Sequence, residues 1–116
     1  MRYFAKVENN KLVSRVILID DQVSDATNFI SNNLKLSGDW IETKKESPTQ
    51  KNFAGVGFSY DSTINQFIPA RPFDSWLLSE ETYQWSAPKP LPDNDKNYVW
   101  VEQELSWQEV EALGTL

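Results

Sequence analysis

FSYDSTINQF (58–67), WLLSEETYQW (76–85) and YVWVEQELSW (98–107) share one plan. Each begins and ends on an aromatic residue with eight others between, and each carries a large apolar residue two places inside the first ring: Tyr60, Leu78 and Trp100. Two places before the closing ring stand Tyr83 and Leu105 in the second and third stretches, and Asn65 in the first. In a helix, residues i and i+2 stand about 200° apart, so Phe58/Tyr60, Trp76/Leu78 and Tyr98/Trp100 cannot share a face; in a strand they do. Each stretch therefore reads as a hairpin with one aromatic-rich face. Setting Phe58 across from Phe67, Trp76 from Trp85 and Tyr98 from Trp107 leaves the loops Asp61–Ile64, Ser79–Thr82 and Val101–Glu104. None contains Gly, which argues against two-residue primed turns and for four-residue loops built on type I geometry.

Working outward, the hairpins are joined by Pro69-Ala70-Arg71-Pro72 and Pro88-Lys89-Pro90-Leu91-Pro92, where proline stops a strand from extending its ladder. Toward the N-terminus, Tyr3 to Glu8 alternates in polarity and reaches Asn9-Asn10, a two-residue turn that tolerates positive φ and would set Glu8 opposite Lys11. The returning strand would place Leu12, Val16 and Leu18 on one face. A helix is expected to start near Asp20-Asp21 or Ser24, with Val23, Ala26, Ile30 and Leu34 at helical spacing and Asn32-Asn33 to Gly38 ending it. Gly38 to Thr43 reads as a short strand, and Lys44 to Asn52, polar and without apolar residues, as a loop or linker. At the other end, Ser106-Trp107-Gln108-Glu109 matches a capping box, with Val110, Leu113 and a Gly114 stop behind it. A short C-terminal helix thus competes with a third hairpin closing at Trp107. The fold class is mainly β with one helix (α+β), an N-terminal hairpin–helix–strand part over 1–45 and an aromatic hairpin region over 46–116, within one compact domain.

Composition narrows the function. The chain has 116 residues, of which 13% are aromatic and five are Trp, against a single Met, so large rings must supply much of the core. Net charge is −6, which disfavours nonspecific binding to nucleic acid. Neither Cys nor His occurs, which removes disulfides, thiolate chemistry, the commonest general base and the common zinc ligands. No apolar run approaches the ~20 residues of a membrane helix. The opening residues lack the apolar centre of a signal peptide, so a protein made and used without export is expected.

The ring-bearing faces, Phe58, Tyr60, Phe67, Trp76, Trp85, Tyr98, Trp100 and Trp107, admit three readings: core packing, a subunit interface, or stacking on sugars. Packing is favoured, since a small chain poor in aliphatics needs its rings for the core. Asp61, Glu80, Glu81 and Glu102 could suggest a glycosidase pair, but acidic residues are common in exposed turns. Asp93, Asp95 and Asn97 fall at positions one, three and five of a calcium loop, with Glu104 at twelve. Tyr98 stands where that loop needs Gly, and a polar turn entering a strand is the better account. Pro69 to Pro72 fits PxxP, as a connector does equally. No phosphate-binding Gly-rich loop occurs. The expectation is no enzyme, no cofactor and no metal.

The run Asn52-Phe53-Ala54-Gly55-Val56-Gly57-Phe58-Ser59-Tyr60-Asp61, then Phe67-Ile68-Pro69-Ala70-Arg71-Pro72-Phe73, carries a resemblance, as do Ser75-Trp76-Leu77-Leu78, Glu81-Thr82-Tyr83-Gln84-Trp85, the Pro88/Pro90 pair and Tyr98-Val99-Trp100. With the opening Tyr3 to Asn9, these resemble a family of small proteins of marine T4-like phages of cyanobacteria, over most of the chain. Tyr83 departs from the Cys usual there, Ala70-Arg71 from Pro-Lys, and the ending after Ser106 also differs. The resemblance implies a phage origin and a loose association with the virion or tail fibre; it carries no functional residues. The expected function is a non-enzymatic virion component, tail- or capsid-associated, made in the host cytoplasm and contacting other phage structural proteins or copies of itself. The alternatives are a small acidic binder of a host protein and a glycan-binding module.

Overall fold

A computed structural model describes residues 1–110. The chain forms two compact units, one of residues 1–70 with Glu81–Tyr83, the other of Arg71–Glu80 with the chain from Gln84 onward. The division falls after Ala70 rather than at residue 45. It is mainly β, as the alternating pattern implies, and among the described residues no helix is long and apolar enough to cross a membrane.

In the first unit, β1 (Arg2–Val7) lies between β2 (Val13–Ile19) and β3 (Asp39–Thr43) in an antiparallel sheet. Both of its faces are covered, which is why β1 buries consecutive residues, Phe4 and Ala5. Helix α1 (Ala26–Asn32) covers the face of Phe4, Ile17, Ile19 and Trp40, inserting Ala26 and Ile30. Its N-cap is Asp25, whose carboxylate accepts from Asn28 N; Asp20, Asp21 and Ser24 do not cap it. The opposite face, Ala5, Val7, Val13, Val16 and Ile41, packs against Ala54, Phe58, Tyr60 and Phe67.

The first hairpin departs from the expected two-residue turn. Glu8 N donates to Leu12 O, so Glu8 faces Leu12 rather than Lys11, and the loop is Asn9-Asn10-Lys11 with Lys11 at φ 69°. A bulge follows: Lys6 pairs with Arg15 but Val7 with Val13, leaving Ser14 extra. The bulge exchanges Leu12 for Val13 on the face shared with Val16, so Val13 is buried and Leu12 exposed. It also frees the start of β2 to pair with the segment entering β4 (Ser59–Asp61): Val13 N donates to Phe58 O, and Tyr60 N to Lys11 O.

Residues 44–52, read as a loop or linker, carry no helix or strand and are built into this unit by buried amides. Gln50 takes the place of a neighbouring strand on the outer edge of β3, accepting from Lys44 N and donating to Glu42 O. Gln66 accepts from Lys51 N and donates to Thr49 O, while the Asn52 amide donates to the carbonyls of Phe67 and Tyr83.

The three aromatic hairpins form, each with its register displaced from expectation. In β4–β5 (Gln66–Ile68) Tyr60 faces Phe67; in β6 (Leu77–Leu78) and β7 (Trp85–Ser86) Leu78 faces Trp85; in β8 (Asn97–Val101) and β9 (Ser106–Val110) Trp100 faces Trp107. The loops are again four residues long but sit one residue later, at 62–65, 80–83 and 102–105. In each the fourth residue is left-handed: Asn65 at φ 54°, Tyr83 at 55° and Leu105 at 49°. These are the residues expected to stand opposite the inner apolar positions; they close the loops instead. The capping-box pattern at Ser106–Glu109 lies in β9, so no helix begins there. The remainder of that expected helix, with Leu113 and Gly114, lies outside the described residues.

Only Asn among these three tolerates the left-handed region well; for other side chains it costs about 1–2 kcal/mol. Leu105 is exposed, so its side chain gives little burial in return. Leu105→Gly is expected to stabilise the second unit by about 1 kcal/mol, the strain removed less the entropy glycine adds to the unfolded chain. Urea unfolding followed by Trp fluorescence checks this, since Trp76, Trp85, Trp100 and Trp107 all lie in that unit.

Candidate functional site

The sequence-selected rings separate into two groups. In the first unit Phe67 is wholly buried, with Tyr60 stacked on it at 4.7 Å between ring centroids and Phe58 packed on the same cluster. Tyr60 keeps its hydroxyl at the surface, donating to Asn65 Oδ1 at 2.8 Å, and partial burial raises its pKa. These three are core residues.

In the second unit Trp76, Trp100 and Trp107 form a triangle of edge-to-face contacts, with centroids 6.1, 6.2 and 5.3 Å apart. Such pairs contribute about 0.5–1.5 kcal/mol each beyond their burial. Phe73 adds a tilted contact to Trp76, while Trp85 lies under the Arg71 guanidinium, 5.2 Å from its centroid. Tyr98 shares the face of Trp100 but its hydroxyl accepts from Asn94 Nδ2. The rings come together because β8 and β9 set Trp100 directly opposite Trp107, and because residues 71–76 are fastened beside them.

That fastening is Glu102, which the sequence offered only as a turn acid. Its carboxylate accepts from Ser75 N at 3.0 Å, Ser75 Oγ at 2.6 Å and Trp100 Nε1 at 2.9 Å. Arg71 donates to Trp76 O, holding the same turn, and Trp107 Nε1 donates to Lys89 O, tying down the second proline connector. The Trp76 Nε1–H is buried with no acceptor among the described residues. No alternation or motif marks Glu102; its one signal is its place at the start of the loop between two tryptophan strands.

On the other face of the β8–β9 hairpin, Val99 and Val110 are left 46% and 39% exposed. Among the described residues this hairpin is two-stranded, so the outer edges of both strands pair with no further strand. Leu77, on the face of β6 opposite the Leu78–Trp85 pair, is likewise exposed.

The other candidates do not assemble. Asn94 Oδ1 accepts from Lys96 N in a local turn and Asn97 enters β8 opposite Val110, so the calcium-loop pattern is a turn into a strand. Among the described residues no three Asp or Glu side chains converge as metal ligands, Asp93 and Asp95 included. Asp61 caps its own loop by accepting from Thr63 N, and Glu102 is committed to Ser75 and Trp100. A cleft of about 540 Å³ beside the Glu8–Lys11 tip is lined by Thr27, Ser31, Asp39, Trp40 and Tyr60. No family model matches the chain, nor does any curated protein or solved structure.

The hydrogen bonds from Ser75, then that from Trp100, favour the charged form of Glu102 and hold its pKa below the ordinary 4.5. Its contribution is therefore full above the unfolded-state value and lost as pH falls through the lowered folded-state value. Glu102→Gln should be less stable than wild type by a constant margin above pH 4.5, a margin that shrinks below it. Denaturant midpoints of both proteins measured across roughly pH 3 to 7 test this.

Proposed function

We propose that this protein is a non-enzymatic component of a bacteriophage particle, acting through protein–protein contacts at the tail or capsid surface. Two things support the reading. The long motifs resemble small proteins of marine phages, and the turn carboxylates Asp61 and Glu102 are engaged in local hydrogen bonds. The observation that carries the contact role is the β8–β9 hairpin: rings on one face, exposed Val99 and Val110 on the other, and edges that pair with no further strand among the described residues. A five-pair ladder of two strands is marginal alone, and further strands or an apolar cover stabilise it.

A host-directed binder is the second reading, favoured by the net charge of −6. Electrostatic capture of a basic host surface would weaken steeply at moderate salt. Sugar stacking is less favoured, because Trp100 is buried and the Trp85 face carries Arg71.

Mass spectrometry of purified, nuclease-treated particles should find the protein at stoichiometric levels. Val99→Lys with Val110→Lys should lower its incorporation while leaving near-UV circular dichroism unchanged. Absence from particles together with abundance in infected cells would remove the virion reading in favour of the host-directed one.

A further inference from the structure

The first unit carries a concentration of positive charge that its fold does not require. Lys6 and Arg15 are register partners on adjacent strands, side by side on one face of the sheet. Like charges directly opposite destabilise a ladder, and the chain has only 11 basic residues against 17 acidic ones. A third cation reaches the same place from the turn after α1. Leu36 N donates to Ile30 O across a seven-residue turn that follows the helix, and Lys35, at φ 58°, is its left-handed residue. Glycine adopts that left-handed conformation most readily. Here a lysine accepts the strain and brings its side chain to a cleft of about 420 Å³ that it lines with Lys6, Arg15, Ser14 and Trp40.

The cleft is partly organised in advance. Gly38, at φ 101°, lies against the Lys6 stem, where a Cβ would come within 2.5 Å of Lys6 Cε. The missing side chain leaves room for the stem to lie there, with its ammonium 3.5 Å from Glu8. Glu8, which also accepts from Ser14 Oγ, is the single carboxylate lining the cleft. Three cations and one carboxylate leave two positive charges in excess. Neither Arg15 nor Lys35 has an ion-pair partner among the described residues.

We propose that this cleft binds the phosphate group of a small soluble ligand. A phosphate dianion matches the two-charge excess. Arg15 supplies a planar fork for two of its oxygens, and Lys6 and Lys35 supply point charges from either side. The site is local and small, so it is compatible with an acidic surface that repels a nucleic-acid backbone. It is independent of the β8–β9 contact surface and stands or falls separately.

The test is an NMR titration of the full chain with inorganic phosphate, chloride being used to hold ionic strength constant. The Trp40 indole N–H, which donates to Ser37 O at the cleft wall, and the amides of Lys6, Arg15 and Lys35 should shift saturably. Lys35→Gly should bind about tenfold more weakly, the loss expected of one charged hydrogen bond, yet melt at a higher temperature because the strain is gone. Arg15→Gln should show a similar loss of binding without the thermal gain. A non-saturating response, or unchanged affinity in both variants, overturns the proposal. Binding confined to vesicles containing a phosphomonoester lipid, with no saturable response to free phosphate, also overturns it.

Discussion

The closing of tight loops by a residue in the left-handed region is the constraint on which this structure rests. The chain has four glycines, and it closes its hairpins with Lys11, Asn65, Tyr83 and Leu105 instead. In each aromatic hairpin the left-handed residue stands two before the closing ring, so the ring pairs with the apolar residue two places inside the first one. A slip of one residue would turn each ring onto the opposite face. The Trp100–Trp107 contact, and with it the triangle that includes Trp76, is therefore set by the backbone angle at Leu105.

This also explains what the sequence discloses and what it hides. The shared face of Phe58, Tyr60 and Phe67 is legible because alternation has a period of two, and a displacement of register by two leaves that face intact. Loop length is legible for the same reason. Loop position is not: Tyr83 and Leu105 have the composition of strand residues, and neither type announces a left-handed turn. Ser14 gives no sign of a bulge, so Leu12 is read onto the face of Val16 and Leu18, where the fold places Val13. At Ser106–Glu109 a local capping pattern yields to pairing with β8, a tertiary preference that a four-residue motif cannot express. Of the candidate site, the shared face of Trp100 and Trp107 follows from the ring pattern, while Trp76, set by that pattern across from Trp85, is brought beside them by the Glu102 fastening. The carboxylate does not follow from that pattern, because Glu102 becomes special only when Ser75 arrives from another turn.

The two units manage buried polarity differently. In the first, neutral amides from Gln50, Asn52 and Gln66 satisfy backbone groups that a surface-like composition appeared to leave to solvent. Neutral donors and acceptors carry little desolvation penalty once paired, which suits the buried side of a long connection. In the second, one ionised carboxylate gathers two hydroxyl and amide donors and an indole, where charged acceptors make stronger bonds.

The side chain of Gln50 has a consequence for solubility. An outer strand such as β3 presents a row of amide and carbonyl groups on which another chain can crystallise into a growing sheet. By bonding Lys44 N and Glu42 O at once, the Gln50 amide occupies the end of that row with a group that cannot be extended. A glutamine in an apparently featureless loop thus caps part of an open sheet edge, a place where self-templating pairing could otherwise begin.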